Sequence, residues 1–235
     1  MDGTANNFTL NNSGSIDATG GSGSGLSIQV GSSAGDIQIG SVFNSGSIIG
    51  SGDSGIDAGV RLFSGGVDAV FSGDIRNEVG GLISSDGSPA VLIEDGVLFD
   101  GSLINAGQID GSISLASGDL ELLDTSFLSL AIDSLTDFET VDIGAGDLIL
   151  DGTLELSFLD PSTFEVGQTF DLFDFGFATG SFDNVLAGPL SLDISNLTSQ
   201  GTVTVAGVGG TSVPEPSSFA VLALSGLVLL RRRRK

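Results

Sequence analysis

Short runs of alternating apolar and polar residues, each closed by glycine or Asp-Gly, follow one another along most of the chain. Leu26-Ser27-Ile28-Gln29-Val30 and Asp36-Ile37-Gln38-Ile39 are examples. Alternation with period two places every second side chain on one face, the pattern of a half-buried β-strand. Glycine is too frequent, with 37 in 235 residues, for long helices to persist between these runs. The pattern predicts an all-β protein.

A longer period lies above the alternation. Asn12-Ser13-Gly14-Ser15-Ile16 returns as Asn44-Ser45-Gly46-Ser47-Ile48 and as Asn105-Ala106-Gly107-Gln108-Ile109, with a looser copy, one residue longer, starting at Asn77. A second landmark follows the first three asparagines, at Gly25-Leu26, Gly55-Ile56 and Ala90-Val91. A unit of about 30 residues is too small to bury its own apolar face, whereas stacked units form a continuous core and pair each other's edges. This predicts a parallel β-solenoid (β-helix). An antiparallel β-sandwich is the competing fold if the repeat is compositional only. Asn and Gly are expected at the turns, in left-handed conformations or bonding their own backbone. Over about residues 10–115 the unit resembles the passenger regions of autotransporter adhesins.

The organisation that follows has four parts. Residues 1–115 are the solenoid repeats, and 116–206 are a β-rich continuation or cap that loses the period. In the second part, Phe158, Phe164, Phe170, Phe173, Phe175, Phe177 and Phe182 are expected to pack as core sealing one end of the stack, with a Phe-lined binding groove as the competing reading. Leu120 to Leu135 mixes helical and strand spacing and is read as strands with an irregular turn. Residues 207–212, Gly-Val-Gly-Gly-Thr-Ser, read as a flexible linker, and 213–235 stand apart by composition.

Charge narrows the function classes. The chain has 30 acidic and 7 basic residues, for a net charge of −23, and five of the seven cations are its last five residues. Residues 1–230 therefore hold only Arg61 and Arg76 against all 30 acids, a charge of −28. Nucleic acid is excluded as a partner, because phosphate binding needs clustered Lys and Arg. There is no Cys, His, Trp or Tyr. Thiolate and imidazole catalysis, disulfides and Cys- or His-ligated metals are excluded with them.

A polysaccharide lyase or hydrolase on a β-helix scaffold remains the strongest enzymatic alternative. Such chemistry needs clustered carboxylates beside cations. Arg61 and Arg76 are the sole body cations, and the sequence favours no catalytic residue and no enzyme. No cofactor is expected either. Calcium is the one ion left open, because Asp53, Asp57, Asp68, Asp74, Asp86 and Asp95 lie near glycine turns. Neither an EF-hand loop nor a tandem Gly-Gly-x-Gly-x-Asp repeat is present, so turn geometry and solubility explain these residues more simply.

The C-terminus has three parts in fixed order. Pro214-Glu215-Pro216 is held extended by its prolines. An uncharged run follows from Phe219 to Leu230, carried by Phe219, Leu222, Leu224, Leu227, Leu229 and Leu230. Arg231, Arg232, Arg233, Arg234 and Lys235 close the chain, a basic cluster that the positive-inside rule keeps cytoplasmic. As a short hydrophobic helix the run would rise about 18 Å, well under the ~30 Å of a bilayer core, which suits transient insertion better than a permanent anchor. This layout resembles the PEP-CTERM sorting signal of Gram-negative bacteria. The resemblance implies export, recognition and cleavage by a membrane-embedded exosortase, transient residence in the inner membrane, and a final place at the cell surface or outside it. It also implies a structural or adhesive role in exopolysaccharide or biofilm. A permanently tethered surface protein is the remaining alternative. Residues Met1 to Asn7 carry no secretory signal, so a misplaced start or upstream coils are expected.

Overall fold

The computed structural model describes residues 6–18, 23–31, 35–52, 56–65 and 68–208. The alternating runs form a parallel β-solenoid with three sheets, in which each strand pairs with the equivalent strand of the next coil. The second sheet shows the stacking most simply. It runs through Ser15–Asp17, Ser47–Ser51, Leu82–Asp86, Gln108–Asp110, Phe127–Ile132, Thr153–Phe158 and Asn184–Leu186, all parallel. Seven strands give six coil-to-coil steps; the predicted solenoid is formed, and the competing sandwich is not.

The core consists of columns, one per sheet. Ile16, Ile48, Ile83, Ile109, Leu128, Leu154 and Val185 are in register along the second sheet. Leu10, Val42, Ile75, Leu103, Leu120, Leu148 and Ala178 form the column of the first. Leu26, Val60, Val91, Ile113, Val141 and Phe173 form that of the third. From the second coil to the penultimate one these side chains are fully or almost fully buried. Each full burial is worth roughly 1.5–3 kcal/mol, and the period-two alternation is what puts them on the same side.

The repeat landmarks are structural, with one shift in register. Leu26 pairs with Val60 and Val60 with Val91, so Gly59-Val60 rather than Gly55-Ile56 is the second copy of the landmark. Ile56 sits in a turn and is 56 % exposed. Beyond Asn105 the coils change length. Asn105 pairs with Leu122, a step of 17 residues, where the earlier asparagines are 32, 33 and 28 apart. That short coil is why the period fades from the sequence although the stack continues to Leu186.

The short coil has no strand to cover Val97–Asp100, which ends a branch of the first sheet. A side chain covers part of it instead. The Ser117 hydroxyl accepts from the Phe99 N–H at 2.7 Å and donates to the Val97 carbonyl at 3.2 Å.

The C-terminal end is closed by an antiparallel sheet of Thr169–Asp171, Thr202–Val208 and Leu190–Asp193. Phe170 of this sheet lies 5.6 Å from Phe164, 5.7 Å from Phe138 and 5.9 Å from Phe158, centroid to centroid. Phe173 and Phe182 pack on each other at 6.2 Å. The expected phenylalanine seal is present with one exception: Phe177 faces outward, 61 % exposed. Leu120 to Leu135 contains two strands, Asp119–Leu122 and Phe127–Ile132. The linker from Gly209 onward and the hydrophobic segment lie outside the described residues.

Candidate functional site

The asparagines that mark the repeat are part of the scaffold. Each ends a strand of the first sheet, and their amides stack across coils: Asn12 Nδ2 to Asn44 Oδ1, Asn44 Nδ2 to Asn77 Oδ1 and Asn77 Nδ2 to Asn105 Oδ1, all 2.8 Å. Each donor also reaches a carbonyl of the next coil, of Ser47, Leu82 and Gln108 in turn. Asn44, Asn77 and Asn105 are buried. Among the described residues no non-glycine residue has positive φ, so these asparagines stack instead of adopting left-handed turns. The expected bond to their own backbone is made as well: Asn12 Oδ1 accepts from the Gly14 N–H and Asn105 Oδ1 from the Gly107 N–H.

The two body cations are engaged. Arg61 lies on the outer face of the third sheet, its guanidinium 4.5 Å from the centre of the Phe63 ring. Its Nε and Nη2 donate to Glu94 Oε1 at 2.6 and 2.5 Å. Arg76 lies on the first sheet between Phe43 and Ile104 in register, with Glu78 at 3.4 Å and Asp74 at 4.0 Å. Each arginine pairs with acids on its own sheet face.

The acidic positions singled out for calcium are dispersed. Asp53 lies outside the described residues. Asp74 accepts from the Ser102 N–H, Asp95 borders a groove with Glu94 and Asp142, and Asp86 borders another with Asp133, Asp137 and Glu139. Among the described residues no group of three acidic side chains is placed to hold a metal ion.

One carboxylate escaped sequence reasoning. Burial pushes the Glu139 carboxyl above its ordinary range, and Asp110 and Asp133 add to the shift, while a 2.6 Å bond from the Ala131 N–H opposes it. Glu139 stands in a local hairpin in which Ile132 bridges Phe138, and it lines a groove of about 480 Å³ with Asp86, Ser112 and Asp133. Its flanks, Phe138 and Thr140, carry no signature of this burial.

The last described strand, Thr202–Val208, delivers the chain to the edge of the cap. Pro214, Glu215 and Pro216, the apolar residues Phe219, Leu222, Leu224, Leu227, Leu229 and Leu230, and the basic residues Arg231 to Lys235 all lie beyond it, outside the described residues. Their assignment rests on sequence. Residues 212–235 match the family model of the PEP-CTERM protein-sorting motif. The chain carries a PEP-CTERM sorting motif. That motif supports export and membrane-associated sorting, with an exosortase as the partner enzyme. No curated protein and no solved structure matches the chain. Among the described residues no helix is long and apolar enough to cross a membrane, and the apolar run of the PEP-CTERM motif was not among them.

Proposed function

We propose that this chain is an exported, non-enzymatic surface or extracellular-matrix protein, whose solenoid serves a structural or adhesive role in exopolysaccharide or biofilm. An exosortase recognises Pro214-Glu215-Pro216 while Phe219–Leu230 is held transiently in the inner membrane. Cleavage then removes the apolar run and the basic cluster. The single observation that carries this reading is the PEP-CTERM motif at residues 212–235, placed directly behind a folded β-solenoid.

The chemistry of the body supports the non-enzymatic part. Its two cations are tied to neighbouring acids, and Glu139, whose carboxyl burial pushes up, shares its groove with further carboxylates. Outward-facing positions of a solenoid vary without disturbing the columns inside, which suits a surface for contacts. No calcium or other cofactor is required by this role.

The test is replacement of Pro214, Glu215 and Pro216 by alanine in the producing cell. The expected result is a full-length chain retained in the inner membrane and lost from the surface, with the thermal unfolding of the solenoid unchanged. Surface delivery and processing equal to the parent's would overturn the proposal.

A further inference from the structure

Two grooves adjoin along the outer face of the third sheet. The first, of about 560 Å³, is lined by Ile56, Leu92, Glu94, Asp95, Ser114 and Asp142. The second, of about 370 Å³, is lined by Thr140, Asp142, Asp171, Asp174 and Gln200. Asp142 belongs to both, so together they form one track that ends at the cap. The register builds it: Arg61, Leu92, Ser114, Asp142 and Asp174 are in line on successive coils, alternating with the buried column of Val60, Val91, Ile113, Val141 and Phe173. Neighbouring parallel strands lie about 4.8 Å apart, so these side chains offer contacts at a regular spacing along the solenoid. A linear polymer can use such a track over its whole length, whereas a small solute meets it at one point.

The lining selects the chemistry of the polymer. Leu92 and Ile56 give the first groove an apolar part. The carboxylates around it accept hydrogen bonds and donate none. Arg61 sends both its Nε and its Nη2 to Glu94 Oε1, which leaves Glu94 Oε2 for another donor. Among the described residues no three acidic side chains are placed to hold a cation, so the acceptors are spread along the track rather than focused at one point. Spread acceptors beside apolar surface match a chain of sugar rings, whose hydroxyls donate and whose C–H faces are apolar. A polyanion finds no such match. Arg61 and Arg76 are both paired with acids, and the body is strongly acidic.

We propose that the outer face of the third sheet is a binding track for an uncharged polysaccharide, lying along the solenoid from Leu92 past Ser114 and Asp142 to Asp174. Leu92 and Ile56 meet a ring face, and Glu94, Asp95, Asp142 and Asp174 accept from hydroxyls. Ser114 and Thr140 supply the donors that carboxylates lack. The track deepens the matrix role proposed above and rests on that reading, to which it adds the face that makes contact and the charge class of the polymer.

Calorimetric titration of the purified full-length chain with hexasaccharides tests the track. Neutral glucan, mannan and galactan probes are compared with a polyuronate and with a fully deacetylated, amine-bearing glucosamine chain. At least one neutral probe is expected to bind at least tenfold tighter than either charged probe, with little dependence on salt. Ser114→Arg fills the middle of the track from an outward position and is expected to weaken that binding at least tenfold. Asp142→Ala, where the two grooves meet, is expected to weaken it severalfold and serves as the second variant. Gln108→Arg, on the outer face of the second sheet, is expected to leave it unchanged. Absence of binding by every neutral probe, tighter binding of the amine-bearing chain, or parental affinity in both track variants would each overturn the proposal. A chain that is processed and delivered to the surface but binds no neutral probe fails here alone, whereas one that binds but is never processed fails only the export reading.

Discussion

The side-chain nitrogen of Asn44 lies 2.8 Å from the side-chain oxygen of Asn77, one coil further along, and both residues are buried. A buried amide is costly unless bonded, and a stack lets each residue satisfy its neighbour. The ladder stops where the stack changes. Asn105 pairs with Leu122 across the short coil, and its Nδ2 has no hydrogen-bond partner.

The ladder therefore has a strong interior and a weak end. Asn77→Ala removes the acceptor of Asn44 and the donor to Asn105 and Gln108, and is expected to destabilise by about 3 kcal/mol, from one broken network and a buried donor left unmatched. Asn105→Ala removes a residue whose donor is already unmatched and is expected to cost about half as much. Urea unfolding of the two variants measures the difference, and equal midpoints would contradict the ladder's role.

Some turn glycines, such as Gly80 and Gly144, are required for their positive φ, with nothing within 4 Å of a Cβ, whereas Gly46 is required for closeness. A Cβ on Gly46 would stand 2.0 Å from the Gly14 carbonyl oxygen, whereas one on Gly14 meets nothing within 4 Å. Gly46→Ala is expected to destabilise by roughly 1–3 kcal/mol through overpacking, and Gly14→Ala to change stability little. Thermal melts of the pair check this.

Ser117 stands in for a missing strand. Ser117→Ala leaves the Phe99 N–H without its acceptor, and a loss of about 1–2 kcal/mol is expected. Faster amide exchange at Phe99 is the local readout.

Glu139 gives the solenoid a pH dependence. Its folded pKa is raised above the ordinary value of 4.5, so the folded state binds the proton more tightly than the unfolded one. Its contribution to stability is fully present below pH 4.5 and is lost as pH rises through the folded pKa. Glu139→Gln, which keeps an acceptor for the Ala131 N–H, is expected to melt higher than the parent at pH 7 and at nearly the same temperature at pH 4. A gap that widens toward acid pH would contradict the assignment.

Much of this was legible in the sequence, for reasons that differ by region. The strands were visible because inward positions such as Ile48, Ile83 and Ile109 alternate with polar ones, and the solenoid because Asn12, Asn44, Asn77 and Asn105 recur at coil length. The role of those asparagines was not, since spacing does not tell a turn residue from one stacked inside. Gly55-Ile56 was mistaken for Gly59-Val60 because both pair a glycine with an aliphatic, and only register separates them. Phe177 was expected inside because it sits among buried phenylalanines, yet its neighbour Ala178 takes the inward place. Glu139 was invisible because its burial comes from a hairpin fold and not from a motif. The sorting motif was fully legible, its meaning being carried by residue order alone.

The most direct test of the account is the intact mass of the protein recovered from the native cell surface or medium. A C-terminus near Val213 to Ser218, without the apolar run and the basic cluster, is the predicted result. A mature surface protein still ending at Lys235 would contradict it and leave a retained anchor in place of a processed signal.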